Sequence, residues 1–267
     1  MLSKKKMATI AATGMVTVGL LVGGASFALF TDTEANSGNN FKAGTLTLDS
    51  HRHDVPITGP MFYVNSDDAG RMGTGLWAPL DSHSRSMFIK NTGSLDGELT
   101  RIFASSASGD EAAMFAEQAL VSVMVYETGG VALDENAHMA LNKAASDYFN
   151  REINATGFGS DFRKELARGI QYAEAFIRQV ALDFKYSVNV DGTPVNVSVT
   201  DVYVGSLKDM YSSAGVGPTK IVLPAGQALE LGFTVTLLDD KNQTFDNNDI
   251  KDISPVYEFK TVFSQEQ

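Results

Sequence analysis

The feature that most constrains this chain is an uncharged run of 24 residues, Met7 to Phe30, placed directly behind Lys4-Lys5-Lys6. A positive flank, an apolar centre (Met15-Val16-Thr17-Val18-Gly19-Leu20-Leu21-Val22) and small residues at the end are the parts of a secretory signal. Ser26-Phe27-Ala28 sets small residues at the −3 and −1 positions, so the expected cleavage lies between Ala28 and Leu29. The competing reading is a retained anchor, because the run is long enough to span a bilayer. Thr9, Thr13, Gly14, Thr17, Gly19, Gly23 and Gly24 dilute it and favour cleavage. The fold is then expected in residues 29–267, as one domain, with 1–28 removed as a signal peptide and no stable membrane anchor left.

Several function classes fall away on composition. The net charge is −11, and the only cluster of three lysines lies in the signal. No basic stripe remains to neutralise phosphates, so no nucleic-acid partner is expected. There is no cysteine, which excludes disulfides, thiolate metal sites and thiol catalysis. Stability must come from a packed core or from neighbouring subunits.

Along the chain, Thr31 to Asn40 is polar and reads as a flexible terminus. Phe41 to Leu48 alternates like a strand. His51 to Thr74 reads as a long loop with a short strand at Met61 to Val64. Strands are expected at Ser86–Lys90, Gly97–Ser105 and Ala119–Tyr126, with Asn91-Thr92-Gly93 turning the chain. Asp110–Gln118 reads as a short helix. Asp134 caps another running to about Arg151, with Ala137, Leu141, Ala144 and Tyr148 on one face. Phe162, Leu166, Ile170, Ala173, Ile177, Val180 and Phe184 predict one amphipathic helix over Asp161–Phe184. Strands resume at Tyr186–Val190, Val195–Val204, Thr219–Leu223, Leu229–Leu238 and Tyr257–Phe263. The order of strands, a helical block at about 106–184, then strands again predicts a mostly β fold. The expected architecture is a jelly-roll-like antiparallel β-sandwich flanked by α-helices.

Two stretches carry a resemblance. Gly23-Gly24-Ala25-Ser26-Phe27-Ala28-Leu29-Phe30-Thr31-Asp32, followed by Asn39-Asn40-Phe41-Lys42-Ala43-Gly44-Thr45-Leu46-Thr47-Leu48, resembles the export region and first strand of the TasA/camelysin (CalY) family. Pro79-Leu80-Asp81 with Phe88-Ile89-Lys90-Asn91-Thr92-Gly93-Ser94-Leu95 is similar to that family's turn, strand and hairpin, although the family's usual turn is Pro-Gly-Asp. The resemblance implies a secreted Gram-positive protein of the extracellular matrix or cell surface, processed by a dedicated signal peptidase. It implies either a structural subunit of biofilm-matrix or cell-envelope fibres, or a camelysin-like cell-surface metalloendopeptidase.

For the fibre reading, cleavage frees Leu29-Phe30-Thr31-Asp32-Thr33. This apolar-headed segment can add as a strand to a neighbour's open sheet edge, giving a homopolymer filament with other matrix proteins as further partners. A disordered tail is the alternative for the same residues. For the protease reading the ligands are sparse. H-E-x-x-H is absent, as are the G-x-S-x-G elbow and the phosphate loop. His51 and His53 share a strand face, but no third ligand is fixed, and exposed loop histidines explain them better. Glu135-x-x-His138 reads as helix surface. Asp239 to Asp249 is rich in oxygen but fails as an EF-hand, with Phe245 at the glycine position and Lys251 at the bidentate position. No catalytic residue, metal site or cofactor is therefore assigned. A carbohydrate-binding module is a third reading with little support, since Trp77 is the only tryptophan.

Overall fold

The computed structural model describes residues 44–52, 61–62, 74–155, 161–211, 215–217, 221–241, 243–251, 253, 255 and 257–265. The expected signal peptide, Ala28, the donor segment Leu29, Phe30, Thr31, Asp32 and Thr33, and His53 all lie outside the described residues.

The described residues form two antiparallel sheets and five helices. The larger sheet has six strands in the order β1 (Leu48–His51), β2 (Ser82–Asn91), β8 (Ala228–Leu237), β4 (Ala119–Glu127), β6 (Thr193–Ser206) and β5 (Lys185–Val190). The smaller sheet runs β7 (Ile221–Leu223), β3 (Gly97–Ser105), β9 (Glu258–Gln265). The helices are α1 (Asp110–Glu117), α2 (Glu135–Asn154), α3 (Phe162–Arg168), α4 (Ile170–Asp183) and α5 (Leu207–Tyr211).

Strand alternation sorts the core into two layers. One face of the large sheet presents Met87, Ile89, Val121, Val123, Leu231, Phe233 and Val235 to Leu99, Ile102, Leu223 and Phe263 of the small sheet. The other presents Leu120, Met124, Tyr126, Val197, Val202 and Val204 to Leu141, Phe149, Phe162, Leu166, Ile177 and Phe184 of the helical layer. The protein is thus a β-sandwich with helices flanking its larger sheet. β4 lies inside the stack with both faces covered, which is why apolar residues occupy it almost without interruption.

Two boundaries differ from the sequence expectation. The single helix over Asp161–Phe184 is broken at Gly169, whose φ of 140° lies outside the helical range and favours glycine. The apolar spacing survives the break because α3 and α4 dock on the same core. The first described strand is Leu48–His51 rather than Phe41–Leu48. The preceding residues are tied to the β2–β3 connection instead: Thr92 N–H donates to Thr47 O (2.7 Å) and Ser94 N–H to Thr45 O (2.7 Å).

Candidate assembly edges and the buried polar seam

A β-sandwich is closed on its faces and open at its edges, so the edges decide what it can join. Among the described residues β1 pairs with Phe88–Asn91, and the first half of β2 has no strand on its outer side. Helix α2 covers it. Ser82 N–H donates to Asn150 Oδ1 (2.8 Å), Asn150 Nδ2 donates to Ser82 O (2.7 Å), and Ser84 N–H donates to Ser146 Oγ (2.9 Å). One amide side chain thus does what a neighbouring strand's peptide group would do.

The sequence places α2 there through two stripes spaced by four. Ala137, Leu141, Ala145, Phe149 and Ile153 enter the apolar core. His138, Asn142, Ser146 and Asn150 run beside them, and three of these reach β2 or β8. Asp134 starts the helix by accepting from Ala137 N–H (2.8 Å). At the other side of the large sheet, among the described residues, β5 pairs with Thr193–Ser198 of β6. Farther along β6, Arg178 of α4 donates to Val202 O.

The small sheet is treated differently. Among the described residues no strand pairs with the outer side of β9; Thr100 Oγ1 of β3 donates to Val262 O (3.1 Å), and Val262 is 40% exposed. Close by, the approach to β1 is pinned. Asn91 Nδ2 donates to Leu95 O (2.8 Å) and Leu223 O (3.1 Å), and its Oδ1 accepts from Gly93 N–H (3.0 Å). Thr45 O passes so near Gly93 that any Cβ there would collide with it. Leu46 then lies against Gly97, which Phe263 of β9 also touches. The Asn-x-Gly-Ser-Leu motif seats the start of the described chain beside the end of β9.

The helix-facing seam holds a buried acid–base pair. His138 Nε2 lies 2.9 Å from Glu230 Oε2, and the two side chains are 0% and 4% exposed. This corrects the reading of His138 as helix surface. Glu230 was missed by sequence reasoning, although it is the lone charged residue in the strand Ala228–Leu237. Tyr126 lies opposite Glu230 on β4, and burial together with the Glu230 charge pushes its hydroxyl far above the ordinary tyrosine range. Through the sheet, the His83 ring lies tilted against Trp77 with ring centroids 4.4 Å apart. Burial, helped by the nearby Arg85 guanidinium, lowers the His83 pKa to about 4, while Asp81 opposes the shift.

Among the described residues no group of three or more His, Cys, Asp or Glu side chains gathers at one point. His138 is held by Glu230, His83 stands against an indole ring, and only the backbone of His51 is described. The oxygen-rich loop at 239–249 directs much of its bonding inward. Asp240 and Asn247 exchange two hydrogen bonds, Asp246 accepts from Asn248 N–H, and Asp239 pairs with Arg163 at 3.2 Å.

The family pattern described as camelysin metallo-endopeptidase matches residues 2–161, more than half of the 267 residues. The chain belongs to the camelysin family. The matched span runs from Leu2 through β4 and α2, and so includes the Asn91–Leu95 motif and the α2 seam. No match is found among curated proteins. Among the described residues of this camelysin-family chain, no helix is long and apolar enough to cross a membrane.

Proposed function

We propose that this protein is an exported structural subunit that polymerises into extracellular fibres of a biofilm matrix or cell envelope. The observation carrying this reading is that, among the described residues, the outer edge of β9 in a camelysin-family sandwich meets no strand, while helix side chains bond Ser82 of β2 and Val202 O of β6. Signal cleavage after Ala28 frees Leu29-Phe30-Thr31-Asp32-Thr33. Added to the edge of the next subunit, this segment gains main-chain hydrogen bonds and buries Leu29 and Phe30. The contact is heterologous, so repetition gives an open filament, and processing by a signal peptidase gates assembly. The test compares chains beginning at Leu29 and at Asn40 by size exclusion and negative-stain microscopy at rising protein and salt concentrations. Filaments from the longer chain alone support the reading. Two monomeric proteins overturn it.

The second reading is a cell-surface metalloendopeptidase, favoured by the description of the family itself. The described residues do not fit a metal centre, so no catalytic step is assigned. Casein hydrolysis by the mature protein that is abolished by a chelator, with zinc near one per chain, would establish this reading. Activity indifferent to the chelator would remove it.

A further inference from the structure

We propose that the buried seam between α2 and the large sheet binds an internal water molecule, held by Ser86 Oγ of β2, Glu230 Oε1 of β8 and the Tyr126 hydroxyl of β4. The site is independent of the fibre reading. Three observations carry it.

The first is a pair of polar atoms that the protein itself leaves unbonded. Ser86 is 0% exposed and Glu230 4%. Neither Ser86 Oγ nor Glu230 Oε1 has a hydrogen-bond partner among the described residues, although His138 holds the other Glu230 oxygen at 2.9 Å. Buried polar atoms in folded proteins are bonded either to protein or to ordered water, because leaving them bare forfeits their hydration.

The second is the register that leaves them short. On the helix-facing side, β2 and β8 meet in rungs: Ser82 with Thr236, Ser84 with Thr234, Ser86 with Gly232 and Phe88 with Glu230. In the first two rungs the hydroxyls bond each other, at 2.8 Å and 2.7 Å. The third rung has glycine where the second hydroxyl would stand. Tyr126 fills that space from β4. It lies opposite Glu230, and a Cβ on Gly232 would sit 2.7 Å from its Oη. Ser86, Glu230 and the Tyr126 hydroxyl therefore surround one glycine, as opposed and diagonal cross-strand neighbours.

The third is the roof and the match of donors to acceptors. Four residues of helix advance about 6 Å and two residues of strand about 6.8 Å. His138, Asn142, Ser146 and Asn150 thus keep step with the rungs below. Asn150 bonds Ser82, Ser146 bonds Ser84 and His138 bonds Glu230. Asn142, 1% exposed, falls over the Ser86 rung. The three partners are the usual number for a buried water. Tyr126 donates, because burial and the Glu230 charge push its hydroxyl far above the ordinary tyrosine range and keep its proton in place. The carboxylate oxygen accepts, and the serine hydroxyl does either.

The sign of a stability change on the full chain tests the site. Deleting a buried hydroxyl that bonds nothing stabilises a fold, whereas deleting one that binds a water strips that water and its other partners of a bond. Ser86→Ala and Tyr126→Phe should each raise the unfolding equilibrium constant about fivefold, read from urea midpoints at constant slope. The double variant should fall well short of the ~25-fold product, because both changes remove the same water. Oxygen-17 magnetic relaxation dispersion should count one fewer long-lived internal water in the double variant than in the wild type. A Ser86→Ala protein as stable as the wild type or more so overturns the site, and so does an unchanged water count. Should the double variant lose its far-UV circular dichroism, the count is taken on Ser86→Ala alone, with the same meaning. Replacing sodium chloride by choline chloride at equal ionic strength separates water from a cation. An unmoved wild-type midpoint supports water, and a midpoint that falls in choline and recovers with sodium identifies a bound cation and overturns it.

Discussion

Leu80 stands where the family's turn carries glycine, and its φ is 74°. A side chain in that region costs roughly 1–2 kcal/mol, yet Leu80 is fully buried against the helical core. Burying a leucine contributes about 1.5–3 kcal/mol, so the two terms nearly cancel. The prediction is an ordering of two variants: Leu80→Ala keeps the strained backbone and loses the burial, and destabilises by about 2–5 kcal/mol. Leu80→Gly relieves the strain and loses less. Urea midpoints at constant slope check this, and a glycine variant less stable than the alanine variant refutes it. His83 makes a different kind of prediction. With a folded pKa of about 4 and an ordinary value of 6.5, the unfolded chain takes up a proton that the folded chain refuses. Nothing is lost above pH 6.5, and stability falls as pH drops from 6.5 towards 4. At 1.36 kcal/mol per unit the full effect is about 3 kcal/mol. His83→Gln should flatten the urea midpoint between pH 7 and 4.5 relative to wild type. Parallel curves for the two proteins would mean that His83 is not the group responsible.

Helix α2 combines packing and edge protection, and two substitutions separate the parts. Asn150→Ala leaves Ser82 N–H and C=O without their partner, which costs about 1–3 kcal/mol. The same variant should self-associate more readily, read as a concentration-dependent shift in sedimentation, because a stretch of β2 edge is uncovered. His138→Ala leaves the buried Glu230 Oε2 without its hydrogen-bond partner, a loss of about 1–3 kcal/mol. The double change His138→Leu/Glu230→Leu should recover much of it, since no buried polar group of the pair is then left unbonded. A double variant no more stable than the single one would show that the pair matters for more than its mutual hydrogen bond. This helix also marks the limit of what the sequence discloses. Its existence and cap at Asp134 follow from periodicity and local chemistry, as do β4 and β8. Its polar stripe does not announce a buried role, because His138, Asn142, Ser146 and Asn150 have the look of a solvated face until a strand edge is placed beneath them. The Gly169 break escapes for a related reason: both halves keep the apolar spacing, and only the backbone conformation reveals the interruption. The family motif at Asn91–Leu95 was legible, but its use was not. Seating Thr45 against Gly93 is a contact across 48 positions, which local pattern cannot carry.

At the scale of the whole molecule, the net charge of −11 opposes any assembly of like copies. Removal of the expected signal makes this stronger, since Lys4, Lys5 and Lys6 leave and no acid leaves with them. Main-chain hydrogen bonding at an open edge is short-ranged and little affected by salt, whereas repulsion between exposed charges is screened over about 10 Å at 0.1 M ionic strength. Filament growth by the chain beginning at Leu29 should therefore accelerate as sodium chloride is raised. The chain beginning at Asn40 should stay monomeric throughout, because screening removes a barrier without supplying a donor strand. Calcium compared with sodium at equal ionic strength separates screening from binding. The inward bonding of Asp239, Asp240 and Asp246 argues that the two salts act alike. A marked calcium excess that disappears in Asp249→Asn would reassign the 239–249 loop as a ligand for the ion. Growth slowed by sodium chloride would mean that subunits meet through charge pairs rather than a strand edge.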